Sequence, residues 1–198
     1  MPQLLFVIDP MCSWSWGFWP VMEELRRTLG DRYRFALVAG GLRTSGDMKW
    51  DKQSKTYLRQ NWEAVIQKTG QPFSYDLLER SAFDYDTYPA CKALVSVREL
   101  WGEAAAFDYL GRIQRAFYLD GEDTTSAEVL ARYVDGDPER FIEFFSGERA
   151  ETLMRNDFAK ARVMGANAFP STVMIDEAGH LITVKGYKTA GELTRMMR

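Results

Sequence analysis

The spacing of apolar positions changes along the chain. Leu4 to Ile8 is an unbroken apolar run that includes Val7 and Ile8, and it reads as a short strand buried on both faces. From about Ser13 to Leu29 the spacing turns helical. Phe18, Met22, Leu25 and Leu29 share one stripe, and Gly30 stops it. Pro20 lies inside this stretch and predicts a kink, because it has no N–H for the carbonyl four residues back. Arg34 to Ala39 reads as a second strand, closed by Gly40 and Gly41.

A long stretch without strand signals follows. Lys52 to Lys68 is helical, with Tyr57, Trp62 and Val65 available for packing, and Tyr75 to Glu79 is at most a short helix. Pro89 suits the first position of a helix reaching Trp101, since its missing N–H is one a helix start does not use. Helices are expected over Glu103 to Tyr118, Thr124 to Val134, Pro138 to Phe145 and Glu148 to Met164. Strand signals return at Ser171 to Ile175 and Leu181 to Lys185, around a turn containing Gly179, and Thr189 to Met197 closes the chain as a helix. Strands at both ends with helices between them predict an α/β fold whose single sheet is split by a helical insertion. The first two strands need a crossover and should run parallel; the last two share a short turn and should run antiparallel.

Composition narrows the function. The chain has 198 residues and is 46% hydrophobic, enough for a substantial core. A net charge of -3 gives no electrostatic reason to expect nucleic acid or an acidic membrane as partner. Two cysteines exclude a disulfide framework, and a single histidine argues against a multi-ligand metal site. His180 falls in the predicted hairpin turn and carries no assigned chemistry. The opening MPQLLFVIDP does not resemble a secretory signal, and no apolar run is long enough to span a bilayer, so a cytoplasmic location is expected.

The segment DPMCSWSWGF, Asp9 to Phe18, carries the candidate chemistry. The strand–turn–helix pattern puts Cys12 at the start of the first helix. Unpaired N–H groups and the positive end of the helix dipole favour thiolate there, and the thiolate is the nucleophile. The Ser15 hydroxyl can turn back toward the sulfur and favour the charged form further. Asp9 opposes this, since a nearby carboxylate raises a thiol's pKa. The plainer alternative is a small buried hydrophobe, the commoner role of a free cysteine. The polar exit Asp9-Pro10 and the following serine read as surface-turn features and favour the reactive role. Of Trp14 and Trp16, at least one belongs in the core, and the other can form an apolar lip for a ligand.

DPMCSWSWGF followed by Pro20 resembles the active-site segment of DsbA-like thiol–disulfide oxidoreductases, in the branch reading Cys-x-x-Cys-Trp-Gly-Phe. TYPACKALVSVRE (Thr87 to Glu99) resembles the helix start this branch places near its site, and GANAFPSTVMID (Gly165 to Asp176) resembles its cis-proline segment. The resemblance covers essentially the whole chain. It implies a thioredoxin-like domain over 1–41 and 165–198, with an all-helical domain over 42–164 inserted between the second and third strands. It implies Cys12 as attacking thiol, supported by Ser15, and a cis peptide before Pro170 beside it. The Phe169 backbone would then face outward for strand addition by a peptide, with Trp14, Trp16, Phe169 and Pro170 contacting substrate.

The chain departs from the pattern at Ser15, where the family has its second cysteine. A Cys12-x-x-Ser15 site cannot close an internal disulfide, so a mixed disulfide must be resolved from outside, by glutathione or a protein thiol. Cys91, at its own helix start, is a candidate resolving thiol; packing is the alternative. The serine can be native or an introduced trap. Partners implied are protein or peptide thiols and disulfides, with glutathione as co-substrate and no bound cofactor or metal. Two other functions remain open. One is a glutathione-dependent transferase or isomerase, as in kappa-class transferases and 2-hydroxychromene-2-carboxylate isomerases, although their working serine commonly occupies the place of Cys12. The other is a non-enzymatic peptide-binding module.

Overall fold

A computed structural model describes residues 1–197. One sheet holds β1 (Gln3–Ile8), β2 (Arg34–Ala39), β3 (Ser171–Ile175) and β4 (Leu181–Lys185) in the order β2-β1-β3-β4. β1 and β2 are parallel, with Gln3 opposite Arg34 and Ile8 opposite Ala39. β3 runs antiparallel to β1, and β4 antiparallel to β3. The parallel pair requires a crossover, which α1 (Ser13–Leu29) supplies. Between β2 and β3 the chain forms α2 (Lys52–Thr69), α3 (Asp76–Glu79), α4 (Tyr88–Tyr118), α5 (Ala127–Ala131), α6 (Pro138–Ser146) and α7 (Glu148–Val163). α8 (Ala190–Met196) ends the described chain. This is the thioredoxin-like α/β arrangement with helices inserted after the second strand.

Several helices start at side-chain caps. Asp51 accepts from the Ser54 N–H at 2.9 Å, Asp137 accepts from Glu139 and Arg140, and Thr189 with Glu192 forms a capping box. α4 is broken at Gly102, whose φ of 90° and ψ of 175° fit a residue without Cβ. The break falls where the sequence separates one helix ending at Trp101 from another starting at Glu103.

α1 buries its predicted stripe of Phe18, Met22, Leu25 and Leu29 against the sheet and α4. Each such side chain contributes roughly 1.5–3 kcal/mol on full burial. The ring of Phe6 sits edge-on to Phe18 at 5.7 Å and to Phe107 at 6.2 Å. α1 runs on through Pro20. The carbonyl this proline leaves without a partner is that of Trp16, and the Gln71 side chain donates to it at 3.1 Å. Gly17 permits a close approach of α2, since a Cβ there would lie 2.6 Å from Val65 Cγ1.

β2 is an edge strand, and the inserted helices satisfy its outer backbone groups. Glu103 accepts from the Leu37 N–H at 3.1 Å, Arg98 donates to the Leu37 carbonyl at 2.7 Å, and Asp157 accepts from the Ala39 N–H at 2.8 Å. Arg98 and Asp157 also form a two-pronged pair at 2.8 and 2.9 Å. Side chains from α4 and α7 thus occupy positions a further strand would fill.

Candidate active site

The turn between β1 and α1 is closed by the Cys12 N–H, which donates to the Asp9 carbonyl at 3.1 Å. Cys12 is the N-cap of α1, with φ -87° and ψ 121°, and its carbonyl accepts the Trp16 N–H at 3.0 Å. Its side chain makes no capping bond. Instead the thiol donates to the Phe169 carbonyl at 3.6 Å, across a sequence separation of 157 residues. The Phe169–Pro170 peptide is cis. Cys12, Ser15, Phe169 and Pro170 therefore meet at one end of the sheet, where β1 leads into α1 and the loop leads into β3.

Two expectations about this turn are overturned. Asp9-Pro10 is not a surface turn: Asp9, Pro10 and Met11 are buried, and Asp9 is wholly so. Its carboxylate accepts from the Met11 N–H at 2.8 Å, the Leu42 N–H at 2.7 Å and the Cys91 thiol at 3.4 Å. Burial pushes its carboxyl above the ordinary range in spite of these bonds. Nor does the helix start win the contest over the Cys12 proton. Cys12 is 5% exposed. Burial, and then the Asp9 charge, push its thiol up to about 11. Ser15 and the Trp14 N–H near the sulfur pull the other way without prevailing. These influences favour the thiol over the thiolate in the resting site.

Ser15 is fully buried, and its oxygen accepts the Asp9 N–H at 3.4 Å. Trp14 and Trp16 separate. Trp14 is half-buried beside Tyr187, with ring centroids 6.2 Å apart. Trp16 is a correction to the expected substrate set. It is 6% exposed, stacks on Tyr118, and donates its indole N–H to the Pro72 carbonyl at 2.9 Å. Indole burial with a satisfied N–H is core packing. The Phe169 carbonyl is also engaged by the Cys12 thiol rather than turned outward. The Phe169 ring lies on bare backbone at Gly40, where a Cβ would come within 2.1 Å of it.

Cys91 is wholly buried, and its thiol is held by Asp9. Burial and the same carboxylate push its pKa well up. The helical segment supplies residues the sequence did not single out. Tyr85 and Tyr118 both donate their hydroxyls to the Met11 carbonyl at 2.6 Å, fixing the turn one residue before Cys12. Neither tyrosine lies in a motif, so no sequence signal marks them. Among the described residues, no group of three or more His, Cys, Asp or Glu could hold a metal ion. No helix among them is long and apolar enough to cross a membrane.

Beside this turn lies a cleft of about 400 Å³ lined by Trp14, Lys68, Phe169, Gly186 and Tyr187. Phe169, whose carbonyl meets the Cys12 sulfur, is one of its lining residues.

Several known proteins share this architecture. A candidate protein disulfide isomerase from Nitrosomonas europaea superposes with a TM-score of 0.88 at 28% identity, over 99% of this chain and 95% of that one. The cytosolic disulfide reductase DsbM from Pseudomonas aeruginosa superposes with a TM-score of 0.78 at 26% identity, over 92% and 89% of the two chains. Among curated proteins, the ClpXP adapter protein SpxH of Halalkalibacterium halodurans is 22% identical over 91% of this chain, and that of Bacillus licheniformis is 24% identical over 85%. The match spans 62% and 56% of their lengths, so the chain accounts for about three fifths of these relatives. The thioredoxin family model matches residues 5–194. The chain belongs to the thioredoxin family, and its solved neighbours include DsbA-type disulfide oxidoreductases.

Proposed function

We propose that this protein carries out thiol–disulfide exchange with Cys12 as its nucleophile and, as the sequence is written, without a resolving cysteine in the motif. The observation that carries this is the Cys12 sulfur at the first turn of α1, 3.6 Å from the Phe169 carbonyl. The Cys12 thiolate attacks one sulfur of a disulfide, the other sulfur leaves as a thiolate, and an external thiol completes the cycle. Ser15, beside the sulfur, favours its charged form. Trp14, Phe169 and Pro170 form the ledge a substrate contacts, and Trp16 supports them from the core. Cys91 stays outside the cycle, since a wholly buried thiol held by Asp9 is not placed to reach a mixed disulfide at the surface. Glutathione is the external thiol we favour; a DsbM structure with a TM-score of 0.74 and 27% identity carries it. The cytosolic neighbour and the free cysteines favour a cytoplasmic setting.

The test is disulfide turnover. Cys12→Ala should abolish exchange with an intact fold. Ser15→Cys should gain an internal disulfide, and its reduced form should reduce one equivalent of a disulfide substrate without glutathione, becoming oxidised itself, read by intact mass and by single-turnover release of substrate thiol. Retained exchange in Cys12→Ala, or a folded Ser15→Cys protein that forms no internal disulfide, overturns the proposal.

A second reading is favoured by the names of the curated relatives: a protein-binding adapter that keeps the groove without the redox cycle. A resting site that favours the thiol suits it as well. Peptide binding that survives Cys12→Ala, in a wild-type protein without exchange activity, selects this reading.

A further inference from the structure

The sheet has two edges, and the chain treats them differently. Side chains of α4 and α7 occupy the β2 edge. β4 is the other edge. Two bonds fix which of its backbone groups are free. The Gly186 N–H donates to the Pro170 carbonyl, and the Asp176 N–H donates to the His180 carbonyl. Ile182 and Val184 therefore turn their N–H and C=O toward Met174 and Thr172 of β3. Leu181, Thr183 and Lys185 turn theirs outward, where nothing among the described residues bonds to them. This edge has apolar surroundings. Leu181 and Ile182 are exposed, on opposite faces of the strand. The Thr183 hydroxyl donates to the Met164 carbonyl, which sets Val163, 88% exposed, on the Leu181 side of the sheet. Charge differs between the ends of the strand. Asp176 and Glu177 stand in the turn before it, partly offset by the Met1 amine 3.5 Å from Glu177 and by His180 on Asp176. Lys185 and Lys188 stand at the other end, with Glu192 as the carboxylate near Lys188.

A free ribbon that is negative at one end and positive at the other complements a reversed copy of itself. We infer that β4 pairs antiparallel with β4 of a second copy of this chain, about a two-fold axis through Thr183, joining the two four-stranded sheets into one. In that register Thr183 stands opposite Thr183, Leu181 opposite Lys185 and Ile182 opposite Val184 of the second copy. All three outward residues then fall in hydrogen-bonded pairs, so each of their N–H and C=O groups gains a partner. A shift of two residues leaves Lys185 or Leu181 with no strand residue opposite it. Thr183 on Thr183 and Ile182 on Val184 are favourable cross-strand pairs, and the Lys185 stem covers Leu181. A lysine on an edge strand ordinarily guards against such pairing. Here the reversal carries the Lys185 ammonium toward the acidic turn of the second copy, so it does not repel. A single strand pair buries less than the roughly 1,200 Å² of a standard interface. The dimer is therefore weak and forms as concentration rises.

The experiment follows mass by sedimentation equilibrium over a concentration series of the full chain, in reducing buffer so that no disulfide links copies. Wild type should pass from monomer to dimer. Over the same range, amide hydrogen exchange should slow at Leu181, Thr183 and Lys185 and stay unchanged at Ile182 and Val184, which are already bonded to β3. Leu181→Lys sets a lysine opposite Lys185 twice across the two-fold and should weaken the dimer about tenfold. Adding Lys185→Glu puts opposite charges across the same pairs and should recover association, with the recovery fading in high salt. Positions 181 and 185 lie too far apart along one strand to touch, so recovery reads a contact between copies. No recovery in the double variant overturns the register centred on Thr183. A chain that stays monomeric at every concentration overturns the inference, as does a dimer whose outward amides still exchange fast. Protection of those amides in the dilute monomer gives the edge to another segment of the same chain and overturns it too.

Discussion

At Cys12, two rules about thiols pull in opposite directions. A helix start, with Ser15 and the Trp14 N–H beside it, favours the thiolate. Burial and the Asp9 carboxylate favour the thiol, and they win. Alkylation of Cys12, followed in a Cys91→Ala background, should therefore rise with pH well past neutrality, with a midpoint near 11. Asp9→Asn removes a neighbouring negative charge, so ionising the sulfur costs less and the midpoint moves down. A wild-type midpoint at or below the free-cysteine value of ~8.5 would mean that the helix start prevails. The sequence placed Cys12 at the head of α1 and named Asp9 as the opposing charge. It could not say which would prevail, because desolvation depends on what covers the sulfur, and the cover comes from residues far along the chain.

The elements depend on one another in ways their own patterns do not reveal. β2 reads as an ordinary strand, yet its outer edge is paired with side chains of α4 and α7. Asp157, only 9% exposed as a side chain, serves both the Ala39 N–H and Arg98. Asp157→Ala should cost roughly 3–5 kcal/mol in urea unfolding, because it leaves the Arg98 charge buried without its partner. A loss of under about 1 kcal/mol would show that water replaces the carboxylate at no real cost. Pro20 shows the same dependence. The sequence reveals that a carbonyl is left bare, and only the packed structure shows that Gln71 reaches it. Helix limits were more readable from local chemistry, since Asp51, Gly102, Asp137 and Thr189 act within a few residues of themselves, although the helix expected over Thr124 to Val134 forms only at Ala127–Ala131, capped by Ser126.

Across the whole molecule, the site is a joint product of the sheet end and the helical segment. Met11, next to Cys12, is held by hydroxyls from Tyr85 and Tyr118, 74 and 107 residues away. Each of these bonds contributes about 0.5–1.5 kcal/mol net. The double change Tyr85→Phe, Tyr118→Phe should lower global stability by about 1–3 kcal/mol. It should also speed hydrogen exchange of the Cys12 amide, which donates to the Asp9 carbonyl and closes this turn. Exchange that quickens no more at Cys12 than through the sheet would show that the tyrosines stabilise the fold without specifically holding the turn.

What the sequence determined by itself is local: strand and helix spacing, caps, the parallel and antiparallel pairings forced by connection length, and a cysteine at a helix start without a cysteine three residues on. These follow from geometry within a few residues. The tertiary structure decided the rest: that Trp16 is core while Trp14 faces a cleft, that Cys91 serves Asp9, and that burial and a carboxylate around the Cys12 sulfur favour its thiol form. Burial, charge proximity and pocket shape are sums over residues distant in the chain, and they take values only when the chain has packed.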